Sequence, residues 1–253
     1  MRCASKSATT RLSDLAKATL AVLIAPTCAA CRDPLDSPLS SAVCAACWSR
    51  IHPLTEPLCR ICGDALASWR LEGALSAVCT RCANHPRLIT IGRAIGAYEG
   101  ALRDVLHVLK YDKRRSVARP LARLMAQAGA PVLDRADFLV PVPLHITRHY
   151  RRGFNQASEL ARHIGVPTVN ALRRRRPTAT QTDLPEGERH RNVRNAFAIR
   201  RPSRARIQNS VVVVVDDVST TGATLDACAA VLLSAGAKEV RALTAARAVS
   251  RLP

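Results

Sequence analysis

Aromatic residues are scarce in this 253-residue chain: three Phe, three Tyr and two Trp make up 3 % of it. That scarcity disfavours a protein that grips nucleic acid by stacking many bases on aromatic platforms. Acids are also few. Nineteen Asp and Glu stand against 38 Lys and Arg, giving a formal net charge of +19 at pH 7 and an isoelectric point near 10.7. A surface of that sign favours polyanions: nucleic acid, phosphorylated metabolites or an anionic membrane surface. No apolar run approaches the roughly 18 residues that a membrane span needs. The 48 % hydrophobic and 23 % charged residues argue against global disorder, and the length suits one or two domains with a real core.

At the N-terminus, Arg2, Lys6 and Arg11 precede the stretch ATLAVLIAPTCAAC, which loosely mimics a secretory signal. Its apolar core is short, and Asp14 and Lys17 interrupt the approach to it. Ser13 is placed to cap a helix with Leu15, Ala18, Thr19, Val22 and Leu23 on one side, ending before Pro26. Residues 1–25 are therefore read as a short amphipathic helix, with a signal peptide as the competing reading. The chain is expected to be cytoplasmic.

Cysteine, by contrast, is plentiful. Eight of the ten form CxxC pairs: Cys28/Cys31, Cys44/Cys47, Cys59/Cys62 and Cys79/Cys82, separated by 12, 11 and 16 residues. Two thiolates two residues apart grip one metal from a tight turn, and two such knuckles complete a tetrahedral Zn²⁺ shell. Four knuckles imply two Cys₄ sites, structural because four thiolates leave no open position. Sequential pairing is expected, the first two knuckles together and the last two together. A disulfide framework would call for irregular spacing and a clear export signal, and a thioredoxin-like role for one pair on a βαβ unit. Cys3 and Cys228 stand outside the pattern, Cys228 on an apolar helix face. Residues 26–88 lack any long periodic segment and depend on metal for their fold.

From residue 89 the pattern changes to a second domain. Leu102, Val105, Leu106 and Leu109 recur at helical spacing, as do Leu121, Leu124, Met125 and Ala128. Residues 137–143 read as a buried strand, and Ala157, Leu160, Ala161 and Ile164 as a helix closed by Gly165. A strand is expected near 166–172, another over Val211–Val215, a helix over Thr224–Ala235 and a last strand over Val240–Ala246. Strands alternating with helices imply a mostly parallel, doubly wound α/β sheet. The unbroken β-branched run Val211–Val215 suits a central strand covered on both faces.

Open parallel sheets bind ligands beyond the carboxyl ends of their strands. Asp216 and Asp217 are expected at such an end, followed by a turn over Val218, Ser219, Thr220, Thr221, Gly222, Ala223 and Thr224. The first amides of the next helix lack internal partners, the hydroxyls add donors, and Gly222 permits close approach of an anion. Carboxylates beside a phosphate cup would repel phosphate unless they held ribose hydroxyls or Mg²⁺. The stretch therefore asks for a sugar phosphate. Plain helix capping is the bland alternative, but two acids, four hydroxyls and a glycine exceed what capping needs.

The stretch VVVVVDDVSTTGAT resembles the phosphoribosyl pyrophosphate (PRPP) signature of type I phosphoribosyltransferases. The whole chain is similar to the ComF family of competence-associated, phosphoribosyltransferase-like proteins. That similarity runs through the cysteine module, AYEGALRDVLHVLKYDKR, PVPLH, RRGFNQA and RRPTATQTDLPEGERHRNVRNAF. It implies a type I phosphoribosyltransferase-like sheet over 89–253, preceded by a double zinc ribbon over 26–88. It also implies PRPP with Mg²⁺ as ligand, single-stranded DNA as partner and a helicase-like protein of DNA uptake nearby. In the superfamily, the loop corresponding to Arg151, Arg152 and Gly153 meets pyrophosphate. The segment 173–195 resembles the mobile hood that closes over PRPP, so that Arg189, Arg191 and Arg194 would face ligand or nucleic acid.

Basic residues concentrate in this part of the chain. Residues 148–206 hold fifteen arginines and four acids, a net +11. Arginine forks grip phosphate bidentately, which suits nucleic acid. For Arg173, Arg174, Arg175 and Arg176 alone, a solvated surface is the simpler account. Lys110 is a further candidate near the site, with a solvated helix end as its alternative. Three functions follow: a PRPP-binding protein handling imported single-stranded DNA, an active phosphoribosyltransferase in which Asp216 and Asp217 steady the reacting ribose, and a ligand-free zinc-ribbon adaptor.

Overall fold

The computed structural model describes residues 26–35, 41–66, 78–144, 152–175 and 195–248. The expected helix over 1–25 lies outside them, as do Arg151, Arg176, Arg189, Arg191 and Arg194. Among the described residues, the cysteine-rich part has two one-turn helices, α1 (Ala45–Ser49) and α2 (Thr80–Asn84), each starting directly after a knuckle cysteine. Strand β1 (Gly92–Ala97) follows, then α3 (Gly100–Lys110), α4 (Ala118–Ala128), β2 (Phe138–Pro141) and α5 (Gln156–Ala161). The chain continues with β3 (Leu172–Arg174), β4 (Phe197–Ile199), β5 (Val211–Ser219), α6 (Ala223–Ser234) and β6 (Glu239–Arg247).

β1, β6, β5 and β2 form one sheet in that order, parallel throughout. The pleat of β5 explains why its valine run is continuous. Val213 and Val215 bury into a core shared with α3, α4 and α5, whereas Val212 and Val214 bury into the opposite core with Leu225, Cys228 and Leu232 of α6. Both faces are covered, as the doubly wound reading requires. Asn155 starts α5 by accepting the Ala157 amide at 3.1 Å.

The strand expected over 166–172 is reduced to a single parallel bridge, Leu139 to Thr168, with backbone bonds Leu139 N–H to Pro167 and Val169 N–H to Leu139. Leu172–Arg174 instead pairs antiparallel with Phe197–Ile199, so the base of the arginine-rich segment is a two-stranded ribbon. Pro167 donates no hydrogen bond, which shortens the ladder on that edge.

The opposite edge, β1, is covered by the cysteine-rich module. Leu54 N–H donates to Ile95 and Gly92 N–H to Ile61, at 2.8 and 2.6 Å. These bonds occupy groups that an open edge would leave to pair with another chain. Buried Arg247, at the end of β6, ion-pairs Asp64 at 3.2 Å. Burial disfavours its charge, but Cys62 and Asp64 nearby outweigh that and hold the guanidinium protonated.

Candidate functional site

β5 does not end at Val215. Its ladder with β6 continues through Asp216, paired with Thr244, to Ser219, paired with Arg247. The expected seven-residue turn is therefore shortened to Thr220–Gly222, because β6 runs equally far and offers partners to the β-branched Val218. One consequence concerns the acids. Adjacent strand residues point to opposite faces, so Asp217 meets Lys110 at the end of α3, with Nζ to Oδ1 at 3.0 Å. Asp216 lies on the α6 side, where the charge of Arg174 reaches it and its own charge reaches Cys228.

The two carboxylates consequently differ. Asp217 is ion-paired with Lys110 and lies 3.8 Å from Arg152 Nη1. Burial, then the neighbouring Asp217 charge, push Asp216 up to about 7, against the pull of the Asp217 amide, Lys110 and Arg174. The Asp217 N–H donates to Asp216 Oδ1 at 2.8 Å. Lys110 is buried, which decides against a solvated helix end. Arg152 also donates to Gln156 Oε1 at 3.1 Å and lies over the Tyr111 ring, while Gly153 beside it is exposed. Arg173 and Arg175 are exposed; Arg174 stacks on Phe197 at 5.2 Å.

The turn is more enclosed than expected. Ser219, Thr221, Gly222 and Ala223 are buried, while Val218, Thr220 and Thr224 are half-buried. Thr221 Oγ1 accepts the Ala223 amide at 3.3 Å, which occupies the first amide of α6. Ser219 Oγ and Thr220 Oγ1 are buried without a hydrogen-bond partner. Two unpaired hydroxyls at the carboxyl end of a central strand are costly unless a ligand supplies acceptors. Gly222 has φ 82°, a left-handed conformation that suits glycine.

The cysteines form two sets, Cys28, Cys31, Cys44, Cys47 and Cys59, Cys62, Cys79, Cys82, with all Sγ atoms of a set within 4.8 Å of one another. Sequential knuckle pairing is what the structure has. Cys28–Cys47, Cys31–Cys44 and Cys62–Cys79 are 3.9, 3.6 and 3.6 Å apart. Four sulfurs around one tetrahedral Zn²⁺, at roughly 2.3 Å each, lie about 3.8 Å from one another. Backbone amides support the sulfurs: Cys44 N–H donates to Cys28 and Cys79 N–H to Cys59, each at 3.3 Å. Although burial opposes ionisation of Cys28, amides of Cys31, Cys44 and Ala30 bring it down to about 6. In the second set, Cys62 and Cys82 hydrogen-bond to Cys59 and hold it well below the usual thiol range, while Cys62 is pushed up to about 12 by Cys59. This proton sharing is what a divalent cation replaces. The residues fit zinc. Cys228, buried and kept protonated by its surroundings, is a packing residue.

Two family models match: a double zinc ribbon domain over residues 19–83 and a phosphoribosyl transferase domain over 150–252. The chain is 35 % identical to DNA utilization protein YhgH of Salmonella typhi over 232 residues, 85 % of this chain and 93 % of that one. The chain belongs to the ComF family. Competence protein F of Haemophilus influenzae is 29 % identical, over 87 % of this chain and 96 % of that protein. Competence protein ComFC of Bacillus subtilis is 26 % identical, over 77 % and 79 %. In this member of the ComF family a double zinc ribbon precedes an α/β phosphoribosyltransferase-type domain. Among the described residues, no helix is long and apolar enough to cross a membrane.

Sequence reasoning missed the cations that the ribbon side of this ComF protein brings to the turn. Arg81 Nη1 lies 3.5 Å from the Thr220 carbonyl, and Arg87 Nη1 donates to the Thr221 carbonyl at 2.8 Å. Arg81 lies inside the last CxxC knuckle and Arg87 five residues beyond it, but nothing in that spacing points to the turn; their partners are 139 and 134 residues away in sequence.

Proposed function

We propose that the chain binds PRPP with Mg²⁺ at the carboxyl end of β5 and works on single-stranded DNA in DNA utilisation. The observation that carries this reading is the juxtaposition, at one strand end, of Asp216 and Asp217 with the unpartnered hydroxyls of Ser219 and Thr220. Asp216 and Asp217, one on each side of β5, would hold the ribose diol and the metal, and hydroxyls and turn amides the 5′-phosphate. Mg²⁺ supplies charge neutralisation of the pyrophosphate. Lys110 acts as the stand-in counter-ion of Asp217 until the ligand arrives, and then turns its ammonium to the pyrophosphate. Arg152, 3.8 Å from Asp217, and Arg174, whose charge reaches Asp216, add positive field. The names of the relatives, DNA utilization protein and competence protein, support the setting.

The DNA partner is supported by the net charge and by one cleft. A cavity of about 450 Å³ lies between the first cysteine site, at Ala29 and Arg32, and α3, with Tyr98, His107 and Tyr111 on its walls beside the acids Asp104 and Asp112. Tyr111 is 61 % exposed and, past Asp112, is followed by exposed Lys113, Arg114 and Arg115, so that its ring would stack a base beside a run of cations.

Titration calorimetry with PRPP, with and without Mg²⁺, tests the site. Asp217→Asn should abolish binding; unchanged affinity would remove the reading. Active transfer is the second reading, favoured by the phosphoribosyl transferase domain match. It requires pyrophosphate release from PRPP with a purine, pyrimidine or amine acceptor.

A further inference from the structure

Arg87 is unusual for an arginine in so basic a chain. Its side chain is only 3 % exposed. One amino group donates to the Thr221 carbonyl, and Nε lies 2.7 Å from Asp226 in the first turn of α6. The same carboxylate accepts the Leu88 amide at 3.2 Å, closing a clamp between residues 87–88 and the start of α6. The other amino group, Nη2, is buried without a hydrogen-bond partner and fills the space beside Gly222; a Cβ there would lie 1.8 Å from it. An unpaired donor held in so tight a place is a constraint that surface charge does not explain.

The peptide geometry says which side of the turn Arg87 serves. In a trans peptide the carbonyl and the following N–H point in opposite directions. Arg87 holds the Thr221 carbonyl, so the Gly222 N–H is turned away from the guanidinium. The arginine therefore stands behind the turn and aims its amide outward. We propose that Arg87 is a positioning residue for phosphate. Through it the second cysteine site, by way of α2 and the five residues after Cys82, fixes the amide cradle that the sheet domain presents. Arg87 falls within 84–149, the stretch between the two matched family domains, so this link belongs to neither module alone.

This inference rests on the PRPP reading of the turn, and the test separates the two. Arg87→Met and Arg87→Lys are compared with the wild-type full-length chain by zinc content, by PRPP–Mg²⁺ titration and by amide hydrogen exchange at 221–223 without ligand. With two zinc ions retained, Arg87→Met should weaken PRPP by about tenfold or more, the usual weight of one charge-assisted hydrogen bond. It should also speed exchange at 221–223. Arg87→Lys should stay weak, because an ammonium keeps the charge but not the planar fork. Chelating zinc should speed exchange at 221–223 in the wild type and add little in Arg87→Met. Full recovery by lysine would reduce Arg87 to a field effect and overturn the proposal. Tighter PRPP binding in Arg87→Met would make it a gate and overturn it equally. If wild type binds no PRPP, the phosphate reading falls; unchanged exchange in Arg87→Met then also ends the positioning role, while faster exchange keeps it.

Discussion

The charge of single residues decides how the site meets its ligand. Asp216 keeps its proton up to about 7, whereas an ordinary aspartate ionises near 3.8. The folded state thus binds more protons than the unfolded chain between these values, and this residue's contribution to stability falls as pH rises through the interval and is flat above it. Ligand binding has the opposite slope. An ionised carboxylate is what a diol or Mg²⁺ needs, so PRPP–Mg²⁺ affinity should climb as pH passes through about 7. Lys110 helps to hold Asp216 ionised, so Lys110→Met should move the midpoint of that climb upward. Calorimetry between pH 5.5 and 8.5, roughly one and a half units to each side of that midpoint, reads it directly. A midpoint that stays in place, or falls, would show that Lys110 does not govern the carboxylate pair.

At the scale of elements, the two short helices of the cysteine-rich module follow their knuckles and have few intrinsic reasons to form. Helices of five residues are far below the length at which propensity alone suffices. Their stability derives from the thiolate cages and, for α1, from packing with Ile95 of β1 and with α3. Removing zinc with a strong chelator should therefore loosen 41–66 and 78–84 while the sheet survives. Amide exchange should rise in the module and remain slow at Val212–Val215, which are fully buried in β5. A single cooperative loss of both modules would mean that the metal sites hold the whole fold. Much at this scale was legible in the residues. Helical spacing located α3, α4 and α6, and knuckle spacing the two thiol sets. The ends of β5 and β6 were not legible, because how far a ladder runs depends on the partner strand. The ribbon of β3 and β4 was likewise hidden, since three-residue strands carry no periodic signal.

The molecule as a whole carries +19, and that excess has a measurable consequence. Binding to a single-stranded oligonucleotide should fall steeply with salt, because each neutralised phosphate releases counter-ions. Tyr111→Ala should weaken binding about tenfold, the weight of one stacked base, with the salt slope unchanged. Titration of a fluorescent oligonucleotide at several salt concentrations separates the terms. Absence of binding at low salt would remove the nucleic-acid partner, and an altered slope would place Tyr111 outside the stacking role.

By itself, the order of residues determined the parallel sheet and the two zinc-fitting thiol sets, because both are written in local spacing: alternation along a strand, two residues between cysteines. It also marked Asp216, Asp217 and the hydroxyls after them as a place for chemistry. Only the tertiary structure decided that the two acids face opposite sides, that Lys110 rather than water answers Asp217, and that Arg87 stands behind the turn. The last two arrangements join residues more than a hundred positions apart, brought together by burial of the two sheet faces and of the β1 edge. No periodicity in the chain encodes contacts of that range.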